Sequence, residues 1–271
     1  MAKRRLQSLW LFLVLLFLYA PILLLAVYSF TDAAMIGSIR SFSLHNYVSL
    51  FTMEELRDMI LGTLVLTLAV AVISTLLGTL GAVGAFYAGG KKKRVMDLFN
   101  QIPVVNADVV TGFSVCVLMI VLLEVDKSTY LPLVVGLSCL STPFVYLSVL
   151  PRLKQMDPGL YEAALDLGCT PADALRKVVF PQIAPGVISG FFLSVTLTLD
   201  DYFITTYTKP AAFDTISTYV VNATKGAQTQ VKTALWALST VIFLVAVLAV
   251  VLMNRTRTSE KTSGGRREEG R

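Results

Sequence analysis

The stretch EAALDLGCTPADALRKVVFP, residues 162–181, decides the fold of this chain because it places charged, helix-capping residues between two long apolar runs. Thr170 can cap a helix through its hydroxyl, and Pro171 suits the first helical position, where a missing amide proton costs nothing. Asp173 completes an acidic variant of the capping box. We expect this helix to end at two prolines, Pro181 and Pro185.

A second short helix is predicted just before it. Asp157 can cap its start, Pro158 suits its first turn, and Gly168 can take the left-handed conformation that ends a helix. Helical spacing gives this segment an apolar stripe: Leu160, Ala163, Ala164 and Leu167. An exposed apolar stripe usually packs against another surface. Physical reasoning alone leaves two alternatives open: packing onto the chain's own helices or lipid, and docking to a partner protein.

The rest of the chain is typical of a membrane protein. Hydrophobic residues make up 55%, charged residues 15%, and the mean hydropathy is +0.70. Six apolar runs are long enough to span a bilayer, at 6–31, 59–90, 98–123, 128–151, 178–199 and 233–254. The third run is interrupted only by Asp108. We therefore predict an all-α membrane protein with one six-helix domain, 1–254, and a disordered cytoplasmic tail, 255–271.

The positive charges predict the orientation. Most of the 23 Lys and Arg residues fall on one side of the six runs, together with both termini. Because basic loops near helix ends stay in the cytoplasm, both termini and the segment 158–181 are predicted to be cytoplasmic. The net charge of +5 then reflects topology and attraction to lipid headgroups, and it gives no reason to expect a nucleic-acid partner.

Catalytic and metal-binding patterns are absent from the sequence. Its single histidine, His45, falls in a predicted outer loop, and no nucleophile–base pair or metal-ligand spacing accompanies it. The stretch AGGKKKR, residues 88–94, lacks the arrangement of a phosphate-binding loop. The sequence therefore predicts no enzyme, no metal and no cofactor in this chain, and it disfavours an intramembrane enzyme.

Three aspartates fall inside the apolar runs. On straight helices, Asp108 would lie about 13 Å up the third run and Asp200 about 24 Å up the fifth. Intramembrane carboxylates usually face a cavity or a partner, so Asp108, Asp200 and Asp201 are candidate pathway residues, and the ring of Tyr202 can face a cation. Adjacent side chains point about 100° apart, so Asp200 and Asp201 cannot both face one path, and we name Asp201 as the one that does. Structural hydrogen bonding at helix kinks or contacts between subunits is the open alternative.

The opening stretch closely resembles the EAA loop of ABC-importer permeases. The matching positions are Glu162, Ala163, Ala164, Gly168 and Pro181. The resemblance implies the MetI-like fold of type I importers and a cytoplasmic helix that couples the permease to an ATPase. It further implies an inner-membrane complex with a second permease, an ATPase dimer that binds ATP and Mg, and an extracytoplasmic substrate-binding protein.

Within that family the chain is most similar to spermidine/putrescine permeases. The supporting stretches are PILLLAVYSF (21–30), VNADVV (105–110) and LTLDDYFIT (197–205). The resemblance implies inward transport of polyamines. A permease for another small solute and an ion-coupled secondary transporter remain open as alternatives. An ATPase that copurifies with the chain and is lost when the 158–181 loop is altered would support the ATP-driven importer over the secondary transporter.

Overall fold

The computed structural model describes residues 2–31, 41–88, 90–157, 159–225, 235–241 and 243–244. Apart from one isolated bridge between Thr31 and Phe42, the regular structure in these residues is helical. The helices are α1 (Ala2–Ser29), α2 (His45–Thr52), α3 (Glu54–Ala88), α4 (Gly90–Val105), α5 (Asp108–Cys116), α6 (Leu131–Gln155), α7 (Gly159–Asp166), α8 (Pro171–Ala174), α9 (Phe180–Asp200), α10 (Phe203–Thr208) and α11 (Ile216–Lys225). Two π-helical segments, Val117–Leu122 and Leu175–Val179, extend α5 and α8.

Four helices of the described part are long and apolar enough to cross a membrane: Gln7–Ser29, Glu54–Ala88, Leu131–Gln155 and Pro171–Asp200. A fifth candidate is the bent pair formed by Gly90–Val105 and Asp108–Leu122. The helices of the described residues thus agree with the predicted all-α class, and four or five of them have the length and composition of a membrane span. Most of the sixth predicted run, 233–254, and the tail, 255–271, lie outside the described residues.

The third predicted span is not a straight helix, and the prediction that placed Asp108 midway along one was wrong. Its two halves meet at an angle of 105°, and Asp108 is the first residue of α5. Ala107 before it is extended, with φ −68° and ψ 139°, and the Asn106 amide donates to Thr111 Oγ1 at 3.1 Å. An acidic side chain is favoured in the first turn of a helix, and Asp108 occupies that position in α5.

The predicted helix end at Pro181 and Pro185 was also wrong. Helix runs without interruption over Pro171–Asp200. Pro181 lies in the first turn of α9, directly after the π-helical segment Leu175–Val179, where the Phe180 amide bonds the Leu175 carbonyl five residues back. A proline ring clashes with the carbonyl four residues before it, and the wider π turn relieves that clash.

The long helices α3, α6 and α9 pack through glycines. A Cβ on Gly78 of α3 would lie 2.7 Å from Val145 Cβ, and one on Gly190 of α9 would lie 3.0 Å from Val145 Cγ1. Around Val145 lies a fully buried apolar cluster that includes Val149, Leu153, Val179 and Ile183. Small residues allow this close approach where lipid supplies no hydrophobic driving force.

The chain divides into two compact units. One comprises Met1–Arg57 and Asn222–Arg271, and the other comprises Asp58–Val221. In the first, the Asn46 amide donates to the carbonyls of Ser29 and Thr31, both at 3.1 Å, and so ties α2 to the end of α1. All the predicted site residues belong to the second unit.

Candidate functional site

The predicted coupling loop, residues 158–181, which we call the coupling segment, begins and ends its first helix as the sequence predicts. Asp157 Oδ1 accepts from the Gly159 amide at 2.9 Å at the start of α7, while Pro158 lies outside the described residues. Gly168 has φ +86°, its amide bonds the Leu165 carbonyl, and the Cys169 amide bonds the Ala164 carbonyl at 3.1 Å. This pair of bonds is a Schellman motif, so Gly168 sets the angle at which the chain leaves α7.

In the second half of the coupling segment, Thr170 and Asp173 bond each other at the start of α8. Thr170 Oγ1 accepts from the Asp173 amide at 3.2 Å and donates to Asp173 Oδ2 at 2.9 Å. Pro171 occupies the first helical turn, as predicted. One turn further on, the Lys177 ammonium lies 3.0 Å from the Asp173 carboxylate. Local chemistry therefore fixes where α8 begins.

The predicted apolar stripe of α7 divides between two surroundings. Ala164 is buried, and the neighbouring Tyr161 packs its ring 4.9 Å from that of Tyr87 on α3. Leu160, Ala163 and Leu167 remain exposed, with Leu167 at 86%. One side of α7 is thus anchored to the long helices, and the other presents an uncovered apolar edge.

The remaining members of the predicted coupling set are also exposed. Glu162 lies in the first turn of α7, and Pro181 lies near the start of α9. Their carboxylate and ring are available to a partner surface. Gly168 has no atom within 4 Å of the place where a Cβ would stand, so only its backbone conformation requires glycine.

The two neighbouring aspartates at the end of α9 have opposite surroundings. Asp200 is exposed, while Asp201 is 8% exposed. Asp201 Oδ2 accepts from the Thr205 amide at 2.7 Å and from the Thr205 hydroxyl at 2.8 Å, and its Oδ1 accepts from the Ile204 amide at 3.4 Å. The carboxylate of Asp201 therefore caps α10, the structural use that the sequence left open for these acids.

The breaks between α4 and α5 and between α9 and α10 lie side by side. A Cβ on Gly112 of α5 would come within 2.8 Å of the Ile204 Cα on α10. Asp108 is exposed at the start of α5, four residues before Gly112. The structure thus places the break before Asp108 beside the break at Asp200 and Asp201, although the first is far from the other two in sequence.

The aromatic side chains at this break lie against each other. The rings of Tyr202 and Phe203 meet edge to face with centroids 5.4 Å apart, and Phe203 is 46% exposed. We call the two helix breaks together, residues 106–112 and 200–205, the paired break. Among the described residues, no cluster of three or more His, Cys, Asp or Glu side chains is arranged to hold a metal ion.

Residues 74–256 match the protein family described as the binding-protein-dependent transport system inner membrane component. The chain belongs to this family. It is 26% identical to the spermidine/putrescine permease PotC of Haemophilus influenzae, over 93% of this chain and 96% of that protein. It is 27% identical to the putrescine permease PotI of Escherichia coli K12, over 92% of both.

A solved structure has the same fold. It is that of a bacterial alginate ABC transporter in complex with a periplasmic protein bound to alginate pentasaccharide, and it matches with a TM-score of 0.72 at 19% identity over 95% of both chains. Members of this family are multi-pass inner-membrane permease subunits of importers, which act with an ATPase and a substrate-binding protein and are not enzymes. The predicted family and the absence of catalytic function are confirmed.

Sequence reasoning missed several residues that build the paired break of this permease. Thr205 holds Asp201, Gly112 admits α10 against α5, and Asn106 closes the turn before α5. A partial signal was present, since aspartate is a preferred residue at the start of a helix and Asp201 follows an apolar run. Nothing local marked Gly112, whose partner is distant in sequence.

Proposed function

We propose that this permease subunit carries polyamines, of the spermidine and putrescine class, into the cell. The coverage of the PotC and PotI relatives, above 90% of both chains, supports this proposal most directly. The proposed subunit has six membrane-spanning helices within residues 1–254, the MetI-like fold and both termini in the cytoplasm, followed by a cytoplasmic tail, 255–271.

The exposed edge of α7 is the proposed contact with the ATPase. Glu162, Ala163 and Gly168 present and orient this edge, while Ala164 anchors α7 to the long helices and Pro181 lies where the segment enters α9. ATP and Mg are bound by the ATPase, and this chain carries no cofactor. Motion of the ATPase would reach the membrane helices through this segment.

The paired break is the proposed polyamine pathway. A multiply charged amine loses hydration inside a membrane, and a carboxylate beside its path offsets part of that cost. Asp108 and Asp200 carry exposed carboxylates at the two breaks, while Asp201 positions α10. The faces of Tyr202 and Phe203 add an attraction for ammonium groups.

The proposed complex contains a second, PotB-like permease, a PotA-like ATPase dimer and a PotD-like extracytoplasmic binding protein. All four kinds of subunit would assemble at the bacterial inner membrane, in contact with lipid and without nucleic acid. The coupling segment provides the ATPase contact, and substrate would reach the paired break from the binding protein.

Uptake into proteoliposomes tests the substrate. The full complex should accumulate labelled spermidine or putrescine only with ATP on the side of the ATPase and binding protein on the opposite side. Asp108→Asn and Asp200→Asn should each slow uptake roughly tenfold, while Asp126→Asn in an exposed loop should not. Wild-type uptake by both pathway variants would refute the cation path, and uptake of another solute alone would refute the polyamine assignment.

Copurification tests the coupling contact independently of substrate. Replacing Leu167 with Glu should release the ATPase from the purified complex without changing membrane insertion, because the exposed edge of α7 would gain a charge. A gradient-driven uptake that persists without any ATPase would instead support a secondary transporter.

Labelling tests orientation. In a background without the native cysteines, Lys154→Cys should react only from the cytoplasm and Ser41→Cys only from outside. The basic-residue asymmetry predicts this pattern. Labelling of position 154 from outside would overturn the cytoplasmic assignment of the coupling segment.

A further inference from the structure

A groove of about 680 Å³ lies between α3, α4 and α6, and no residue of the paired break lines it. Gly78 and Gly81 of α3 line it where α3 packs closely against α6. Its rim is open, since the Phe99 ring is 67% exposed and Met96 is 36% exposed. Neither the proposed substrate pathway nor the coupling segment uses this groove.

The lining suits a hydrocarbon chain. Along α6 the lining residues run from Leu131 to Tyr146. At the helical rise this length is about 22 Å. It exceeds half of a bilayer's hydrocarbon core, which is about 30 Å thick. Ile73, Leu77 and Val135 give the groove apolar walls, so it is elongated and apolar, in contrast to the site of a small polar solute.

Two hydrogen bonds fix α4 against α6 beside the groove. The Tyr146 hydroxyl donates to Asp97 Oδ1, and the Asn100 side-chain amide donates to the Pro143 carbonyl at 3.4 Å. Tyr146 is almost fully buried at 3% exposure. The wall formed by α4 is thus attached at two successive turns, and a ligand finds the groove already formed.

Basic side chains continue the groove at one end. Met96, Phe99, Asn100 and Pro103 line it from one face of α4. At 100° per residue, Lys92 and Lys93 lie about 40° and 60° from the direction of Met96, one turn earlier. Lys91 and Arg94 lie about 140° and 160° away, on the opposite face. The first-turn amides of α4 add positive potential at the same end.

We propose that the groove holds an acyl chain of an anionic phospholipid whose phosphate is bound by Lys92 and Lys93. The apolar length accommodates the chain, and the paired charges at its end complement the headgroup. This occupant goes beyond the proposed transport function, because it would make the permease responsive to the lipid composition of its membrane.

Quenching by brominated lipid tests the proposal. Phe99→Trp would report from the groove, in the full-length chain copurified with its partner subunits, after subtraction of the wild-type signal. Dibrominated phosphatidylglycerol, titrated into unlabelled phosphatidylcholine, should half-quench the introduced tryptophan at a mole fraction roughly tenfold lower than dibrominated phosphatidylcholine, because two basic groups act on its headgroup.

The four neighbouring basic residues provide a matched control. Lys92→Gln with Lys93→Gln should abolish the preference for phosphatidylglycerol, whereas Lys91→Gln with Arg94→Gln should preserve it at the same loss of charge. An equal loss of the phosphatidylglycerol preference in both double variants would mean that the positive surface attracts anionic lipid in general, and it would overturn the proposed site. Absence of quenching by either lipid would overturn it too, and would mean that protein, such as a helix of the second permease, covers the groove.

Native mass spectrometry of the wild-type complex gives a second measurement that needs no tryptophan. Phosphatidylglycerol should remain bound at activation energies that strip phosphatidylcholine, and the Lys92/Lys93 variant should lose this difference. Equal retention of the two lipids by the wild-type complex would refute the proposal even if the Phe99→Trp variant failed to fold.

Discussion

The coupling segment and the paired break are built by different kinds of interaction. In the coupling segment, every cap joins residues within five positions of each other, as with Gly168 and Thr170. In the paired break, α5 meets α10 where Gly112 faces Ile204, 92 positions later in the chain. Short-range chemistry shapes the first region, and distant packing shapes the second, so substitutions should affect them differently.

The largest effect is expected where the two helices of the paired break touch. Gly112→Ala would place a Cβ 2.8 Å from the Ile204 Cα. The backbone must then shift, at a cost of about 3 kcal/mol. Gly84→Ala makes the same change where the nearest atom, Met96 Cε, is 3.9 Å away, and it should be neutral or slightly stabilising. Thermal unfolding in detergent would compare them, and equal melting temperatures would show that α5 and α10 do not meet.

Two substitutions of Asp201 distinguish its role as a helix cap from any role of its negative charge in the paired break. Asp201→Ala leaves the amides of Ile204 and Thr205 without this acceptor. This change should cost about 2 kcal/mol, while Asp201→Asn keeps a carbonyl acceptor and should cost less. Melting temperature and polyamine uptake should be measured together. If Asp201→Asn lowered polyamine uptake as strongly as Asp201→Ala without lowering the melting temperature, uptake would depend on the charge of Asp201 and not on its helix cap.

Gly168 tests the coupling segment through backbone conformation alone. Its φ of +86° is tolerated poorly by a β-branched residue. Gly168→Val should therefore destabilise the segment by about 2 kcal/mol. ATP-coupled uptake should fall more than the melting temperature suggests, since α7 would be reoriented. Gly168→Asn, which accepts a left-handed conformation, should retain most activity, and a fully active valine variant would contradict the proposed coupling.

The smallest effect is expected at the cap of α8. Thr170→Ala removes the acceptor of the Asp173 amide, although α8 continues into a long helix that holds it in place. The cost should therefore be about 1 kcal/mol or less. Thr170→Ser keeps the hydroxyl and should match wild type. A loss of uptake as large as that of Gly168→Val would show that the whole segment tolerates no local change.

The sequence predicted those features whose causes are local. Thr170, Pro171 and Gly168 have the predicted cap, first-turn and left-handed roles. It failed at Pro181, because a π-helical segment relieves the proline clash and no simple residue pattern marks such a segment. It also missed the 105° bend before Asp108, since an apolar run has the same composition whether straight or bent.

The candidate pathway was predicted only as a set of residue types. The free-energy cost of placing a carboxylate in the membrane singled out Asp108, Asp200 and Asp201. The angle of about 100° between adjacent side chains predicted that Asp200 and Asp201 would have different surroundings. Which of them would be buried depended on the break before α10 and on Thr205. That information resides in tertiary packing, so their roles in transport remain predictions.

The uninterrupted helix from Pro171 to Asp200 has a mechanical consequence. Its 30 residues have the cap of α8 at one end and Asp200 at the other. They make a lever arm about 45 Å long. A tilt of about 5° about one end would displace the other by about 4 Å, more than the length of a hydrogen bond. Had Pro181 broken the helix, a hinge there would have absorbed that rotation instead of transmitting it to the carboxylate.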